Sequence, residues 1–276
     1  MIDLIKAHAY GNDFLFTPAE PVAVDRRAAW ARRVCDRHQG VGADGLIFYA
    51  LTSDGASMQL VNADGSDSEV SGNGVRCLAA LTVSGMLGPS GAASAAPAGT
   101  RIMIQTDAGP KRVTCLGQEG GRLTFEAAMG HPEDIEPIAL TAAGEALEAV
   151  RLRVGNPQCV VLMPLPTRER FLALAAALSR HEAFRAGTNV ELAEVVSPDR
   201  VRILIWERGV GPTMASGTGA CAAAVAAAAY GGAGRDIEVE APGGTQRVRW
   251  DDRGLQLTGW AEIVWSGRWR GETPPA

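Results

Sequence analysis

Ser71-Gly72-Asn73-Gly74-Val75-Arg76-Cys77 and Ser216-Gly217-Thr218-Gly219-Ala220-Cys221 are one short pattern written twice, 145 residues apart. Each begins with a serine and a glycine-rich turn and runs straight into an apolar, helix-like stretch. Two more pairs keep the same order. Gly11-Asn12-Asp13 returns as Gly155-Asn156-Pro157 at an offset of 144, and Gly42-Ala43-Asp44 returns as Gly187-Thr188-Asn189 at an offset of 145. A single shared tetrapeptide is chance, but three pairs in register read as an internal duplication. Two homologous halves imply equivalent loops around a pseudo-two-fold axis.

The stretches around these motifs are mixed. Apolar or alternating runs at 45–50, 101–106, 122–127, 159–163, 201–206 and 246–250 read as strands. Helical periodicity covers 25–37, 75–86, 168–179 and 220–230, and the Gly, Ala, Ser and Pro-rich stretch 88–99 reads as an exposed loop. An α+β pair of domains follows, with a boundary within 115–121. The halves are set at 1–117 and 118–261. Because the repeat starts near the N-terminus, the strand-like region 259–265 is expected to return to the first domain, which segment 262–276 would complete.

With 276 residues the chain is long enough for two ordinary domains. A net charge of −5 argues against a general binder of nucleic acid or of anionic membranes. The densest arginines (Arg26, Arg27, Arg32, Arg33 and Arg37) fall in a predicted helix and read as a solvated face. The start of the chain lacks the pattern of a secretory signal, and the alanine-rich run 220–229 is too short to span a bilayer. Five cysteines without a CxxC pattern read as free thiols in a reducing cytoplasm. Lys6 and Lys111 are the only lysines, which leaves few candidates for a pyridoxal-phosphate Schiff base. The four histidines lack ligand spacing, so no metal and no cofactor are expected.

A glycine-rich turn that opens a helix presents first-turn N–H groups to an anion. Taken singly, Ser71 and Ser216 are helix N-caps. Taken together in a duplicated chain, two such loops converging on one cleft could hold one carboxylate and reach opposite faces of the carbon beside it. That is the arrangement a racemase requires, with one group removing the α-proton and the other delivering one.

The combination of motifs resembles the diaminopimelate epimerase family over nearly the whole chain. The similarity is carried by residues 8–14 (HAYGNDF), 40–45 (GVGADG), 62–66 (NADGS), 71–77 (SGNGVRC), 155–158 (GNPQ), 187–191 (GTNVE), 206–209 (WERG), 215–221 (ASGTGAC) and 242–244 (PGG). The resemblance implies two pseudo-symmetric halves, each a mixed, barrel-like sheet wrapped around a central helix. It implies cofactor-independent epimerisation of LL- to meso-diaminopimelate in lysine biosynthesis, with a homodimer as one assembly it allows. Asn12, Asn62, Asn156, Asn189, Glu207 and Arg208 would line the substrate cleft, and the backbone of Gly72, Asn73, Gly217 and Thr218 would bind the α-carboxylate. The bland readings are that each Asn is a turn residue and that Glu207 and Arg208 form a surface ion pair.

The departures from the family pattern are chemical. Ser71 and Ser216 stand where the resemblance places two acid–base cysteines, and Gln158 stands where it places a histidine. A thiol is readily ionised at a helix N-terminus, an alkanol is not, and glutamine cannot take a proton. Glu207, implied as partner of the second cysteine position, is retained. A Cys→Ser pair made to trap substrate would leave the histidine alone, so Gln158 favours natural divergence. Two other readings stay open: a proton-shifting isomerase or dehydratase that uses Glu207 as its base, and a non-catalytic amino-acid-binding paralogue.

Overall fold

The computed structural model describes residues 1–68, 71–87 and 97–271, so most of the stretch read as an exposed loop, 88–96, lies outside the described residues, as does 272–276. The chain divides into two compact units, Met1–Ala127 with Gly259–Ala276, and Ala128–Thr258.

The first unit contains β1 (Ile2–Ala9), β2 (Asn12–Pro18), α1 (Arg27–Val34), β3 (Gly45–Thr52), β4 (Gly55–Asn62), β5 (Asp67–Ser68), α2 (Gly72–Val83), β6 (Arg101–Thr106), β7 (Gly109–Glu119) and β8 (Arg122–Gly130), whose last residues pass into the second unit. β2 runs parallel to β3 and β4 parallel to β6, while the other neighbours are antiparallel. The final strand β17 (Gly254–Trp269) pairs with both β8 and β1, from His8↔Glu262 to Ile2↔Trp269, and so closes the sheet into an eight-stranded barrel. Helix α2 is buried on all sides from Asn73 to Leu81 and packs on β1, β2, β4, β6 and β7. A helix that is apolar all round belongs inside a core, and this one fills the barrel.

The second unit repeats the order with β9 (Glu133–Ala142), β10 (Glu145–Val154), β11 (Asn156–Leu162), α3 (Arg168–Leu178), β12 (Asn189–Ser197), β13 (Arg200–Glu207), β14 (Gly211–Thr213), α4 (Gly217–Tyr230), β15 (Asp236–Ala241), β16 (Gly244–Asp251) and the start of β17. β11 runs parallel to β12 and β13 parallel to β15, in the places of the parallel pairs of the first unit. β15 shows why such a segment is a strand: Ile237, Val239 and Ala241 point inward while Asp236, Glu238 and Glu240 face water. The alanine-rich run noted in the sequence lies in α4, a core helix packed on β10 to β13, β15 and β16. Its small side chains keep it slim enough to be enclosed by strands.

Two sequence readings change in the structure. Residues 115–121 lie within the β7–β8 hairpin, and the compact units divide at Ala127/Ala128. The glycines of that stretch supply a register shift near Gly117 and the turn at Gly120 and Gly121. The solvated face expected of the arginine-rich stretch holds at Arg26, Arg32, Arg33 and Arg37, which are exposed, but not at Arg27, which is half-buried. Arg27 donates to the Ala19 carbonyl at 3.1 Å and lies 4.6 Å over the Phe48 ring, and Arg37 donates to Asp13 at 2.7 Å and to Asp44 at 2.8 Å.

Both central helices start the same way. Ser71 and Ser216 are extended N-caps whose hydroxyls accept from Gly74 N at 3.1 Å and Gly219 N at 3.2 Å. Ser71→Ala and Ser216→Ala should each lower stability by about 1 kcal/mol in chemical denaturation, with threonine at the same positions close to wild type. A loss below a few tenths of a kcal/mol would show that the caps are not needed to start these helices.

Candidate functional site

The chemistry gathers at the N-terminal ends of α2 and α4, one in each unit. In both, the serine Oγ spends an acceptor lone pair on the helix, which leaves its O–H as a donor. The first-turn backbone of Gly72 and Asn73, and of Gly217 and Thr218, forms the positive end of each helix.

In the first unit the β1–β2 hairpin turns on Tyr10 and Gly11, both at positive φ (58° and 85°), the two-residue turn that suits strand twist. Asn12 follows directly. Its amide donates to Asp44 at 2.8 Å and its carbonyl oxygen accepts from Asn73 at 3.0 Å. Asn73 in turn accepts from the buried Arg76, whose guanidinium lies 5.7 Å over the Tyr10 ring. Tyr10 is held by the Trp260 backbone N–H, which donates to its hydroxyl at 3.1 Å. Asn62 donates to the Ser66 hydroxyl at 3.0 Å. Behind this chain Asp13 is bound by Lys6 and Arg37. Burial alone would push its carboxyl up, but those two cations outweigh it and hold the group below the ordinary value. The structure therefore brings Ser71, Asn73 and Asn12 together and leaves Asn62 in its own turn. The roles of Asp13, Asp44, Arg37 and Arg76 were not read from the sequence, although Asp13, Asp44 and Arg76 stand inside the quoted motifs.

In the second unit the sheet register sets a row. Gln158 pairs with Asn189 across β11 and β12, and the Val190↔Trp206 pairing places Asn189 beside Glu207 at the end of β13. Gln158 is fully buried and donates to Asn156 Oδ1 at 2.6 Å. Asn189 Oδ1 accepts from the Arg208 backbone at 2.8 Å, and the Arg208 side chain donates to the Ala186 carbonyl at 3.1 Å. Glu207 Oε1 accepts from Thr213 at 3.4 Å, and the Ser216 and Thr218 hydroxyls are 3.4 Å apart. The strand register moves the sequence repeat by one residue here, so that the counterparts of Gln158, Asn189 and Glu207 in the first unit are Phe14, Gly45 (not Asp44) and Asn62. Only the second unit has a carboxyl in this row.

A second carboxyl lies one step further along the same strand face. Glu191 is fully buried, and a Cβ placed on Gly219 would meet its Oε1 at 2.5 Å and Ser216 Cβ at 3.2 Å. Burial, and after it the neighbouring Glu207 carboxylate, pushes the Glu191 acid well above the ordinary value, so it is held neutral. The sequence motif includes Glu191 but gives no sign that it is buried under the helix end.

All five cysteines are buried and free. Burial raises the Cys77 thiol to about 12, so it is no substitute for an ionisable thiol at the loop. A hollow in the second unit lined by Glu136, Arg151, Arg153 and Phe184 contains an Arg151–Glu136 ion pair and none of the candidate residues. Among the described residues no helix is long and apolar enough to cross a membrane, and no cluster of three or more His, Cys, Asp or Glu side chains could hold a metal ion.

Comparison with known proteins gives consistent matches. The family model for diaminopimelate epimerase matches residues 4–132 and 150–264. A diaminopimelate epimerase from Desulforudis audaxviator is 38% identical, covering 97% of this chain and 99% of the relative. One from Desulfovibrio desulfuricans is 33% identical over 96% of each. Among solved structures, a "Predicted Epimerase" from Pseudomonas aeruginosa superposes with a TM-score of 0.73 at 14% identity, covering 99% of this chain and 100% of that one, which establishes a shared fold.

The buried acid makes stability depend on pH. The folded state keeps the Glu191 proton, which the unfolded chain releases near the ordinary 4.5, so the contribution is complete below that value. It is lost as pH rises toward the raised folded value. Denaturation midpoints measured from about pH 5 to 9 should fall for wild type and fall less steeply for Glu191→Gln. Equal slopes would mean that Glu191 does not carry a proton in the folded protein.

Proposed function

The chain belongs to the diaminopimelate epimerase family of cofactor-independent isomerases, and from that premise we propose that it binds diaminopimelate or a closely related amino acid and moves its α-proton slowly, through Glu207. For the substrate's α-carboxylate each loop helix offers its own backbone N–H groups, Gly72 and Asn73 at α2 and Gly217 and Thr218 at α4. There the helix dipoles favour an anion. Asn12, Asn62, Asn156, Asn189 and Arg208 are assigned to the rest of the substrate. We place the protein in the cytoplasm, where its free thiols would stay reduced, with a homodimer as the assembly to be tested by sedimentation.

The observation that carries this reading is the unequal pair of rows. Glu207 stands beside Asn189 at the Ser216 end, whereas the matching position in the first unit is Asn62, an amide that cannot exchange a proton. Two-sided epimerisation needs an acid and a base matched to the working pH on opposite faces of the α-carbon, and each serine hydroxyl lies far from that match. Glu207 is the one carboxyl in either row able to act as base. The same observation favours a second reading on this scaffold, a proton-shifting isomerase or dehydratase with Glu207 as its only base.

The test compares LL- to meso-diaminopimelate conversion by wild type, Glu207→Gln and the Ser71→Cys/Ser216→Cys/Gln158→His variant. General acid–base catalysis contributes about 10²–10⁴-fold per group, so the triple variant should be faster than wild type by at least about 10²-fold. Glu207→Gln should be the slowest of the three. Fast conversion by wild type would refute the acidity argument, and a triple variant that neither binds nor converts diaminopimelate would point to another substrate.

A further inference from the structure

The two central helices rest on their sheets at the same point, and the residue beneath that point differs between the units. In the first unit a Cβ on Gly74 would meet Ile47 Cδ1 at 2.9 Å and Ser71 Cβ at 3.4 Å. In the second, the equivalent Gly219 has Glu191 Oε1 at 2.5 Å and Ser216 Cβ at 3.2 Å. Ile47 lies two residues beyond Gly45 and Glu191 two beyond Asn189, so the two side chains occupy one slot of the duplicated fold. An isoleucine is enough to fill that slot, so packing does not explain a fully buried carboxyl there.

We propose that Glu191 is a positioning residue that controls carboxylate binding at the α4 N-terminus: as a neutral acid it leaves the helix end positive for a substrate's α-carboxylate, and as an anion it repels it. Glu191 is fully buried and does not itself touch substrate. Its Oε1 lies against Gly219, the last residue of the loop whose first-turn N–H groups would hold the carboxylate. The charges around it favour the neutral form. Glu207 faces it from β13, the Cys159 thiol lies on β11, and α4 carries no charged residue from Gly217 to Tyr230. Two anions a few ångströms apart in a poorly solvated site repel strongly enough to weaken binding by about 10-fold or more. This inference rests on the reading that a carboxylate binds at α4, and it adds a pH limit to that binding.

The experiment is calorimetric titration of meso-diaminopimelate into wild type, Glu191→Gln and Glu191→Ile from neutral to alkaline pH, with circular dichroism to confirm folding at each point. Glutamine keeps the shape without the proton, and isoleucine copies the residue that fills the slot in the first unit. The ligand's own ionisation is common to all three proteins, so the ratio of wild-type Kd to Glu191→Gln Kd isolates Glu191. That ratio should be near one at neutral pH and rise about 10-fold or more in alkali. A ratio that stays constant across the range overturns the proposal. If no protein binds diaminopimelate, the function proposed above fails. The same titration with sulfate as a probe of the helix end then decides the role of Glu191, a constant ratio again overturning it.

Discussion

The structure depends on how closely each central helix approaches its sheet at the last glycine of the loop. Gly74 and Gly219 have no Cβ, and the space that atom would take is occupied by Ile47 in one unit and by Glu191 in the other. A side chain at either position would force that neighbouring side chain to shift. The serine before each turn caps the same helix end, so one four-residue segment starts the core helix, closes the packing and exposes the positive end of a dipole. Structural and chemical demands meet there, which is why the pattern occurs twice with so little change.

Around this shared seat the two units have diverged in opposite directions. The first surrounds its loop with a chain of amides and a tyrosine, Asn12 to Asn73 to Arg76 to Tyr10, backed by an aspartate that Lys6 and Arg37 keep ionised. Hydrogen bonds thus fix the side chains at the start of that helix. The second places two carboxyls on neighbouring strands, one half-buried at a strand end and one sealed beneath the helix. Burial and the neighbouring Glu207 raise the proton affinity of Glu191, whereas an isoleucine, Ile47, fills the matching slot of the first unit.

Much of this was legible in the sequence because duplication is a pattern of residues, and glycines mark where backbone must pass close. The SGNG and SGTG segments located the starts of both central helices, and the repeated GND, GAD and GTN motifs marked the duplication. Alternation revealed strands such as β6 and β16, where one face is wet. It was silent for β2, which is buried on both faces, and for β9 and β10, whose exposed Glu and Arg side chains mask the inward Leu and Val. The domain boundary was placed within 115–121, where the chain instead forms a hairpin, and the compact units divide at Ala127/Ala128. The burial of Glu191 and the clamp of Arg37 on Asp13 and Asp44 were not legible at all. Both arise from cross-strand register and helix packing, which place residues far apart in the chain side by side, and no local spacing records that.

The central claim is that proton transfer belongs to the Glu207 side alone. It is tested most directly by following, in deuterium oxide, the label entering Cα of LL- and meso-diaminopimelate before any change of configuration is complete. The account expects slow exchange with retention from one configuration, abolished by Glu207→Gln and little altered by Ser71→Ala. Exchange at equal rates from both configurations, accompanied by inversion and unaffected by Glu207→Gln, would contradict it.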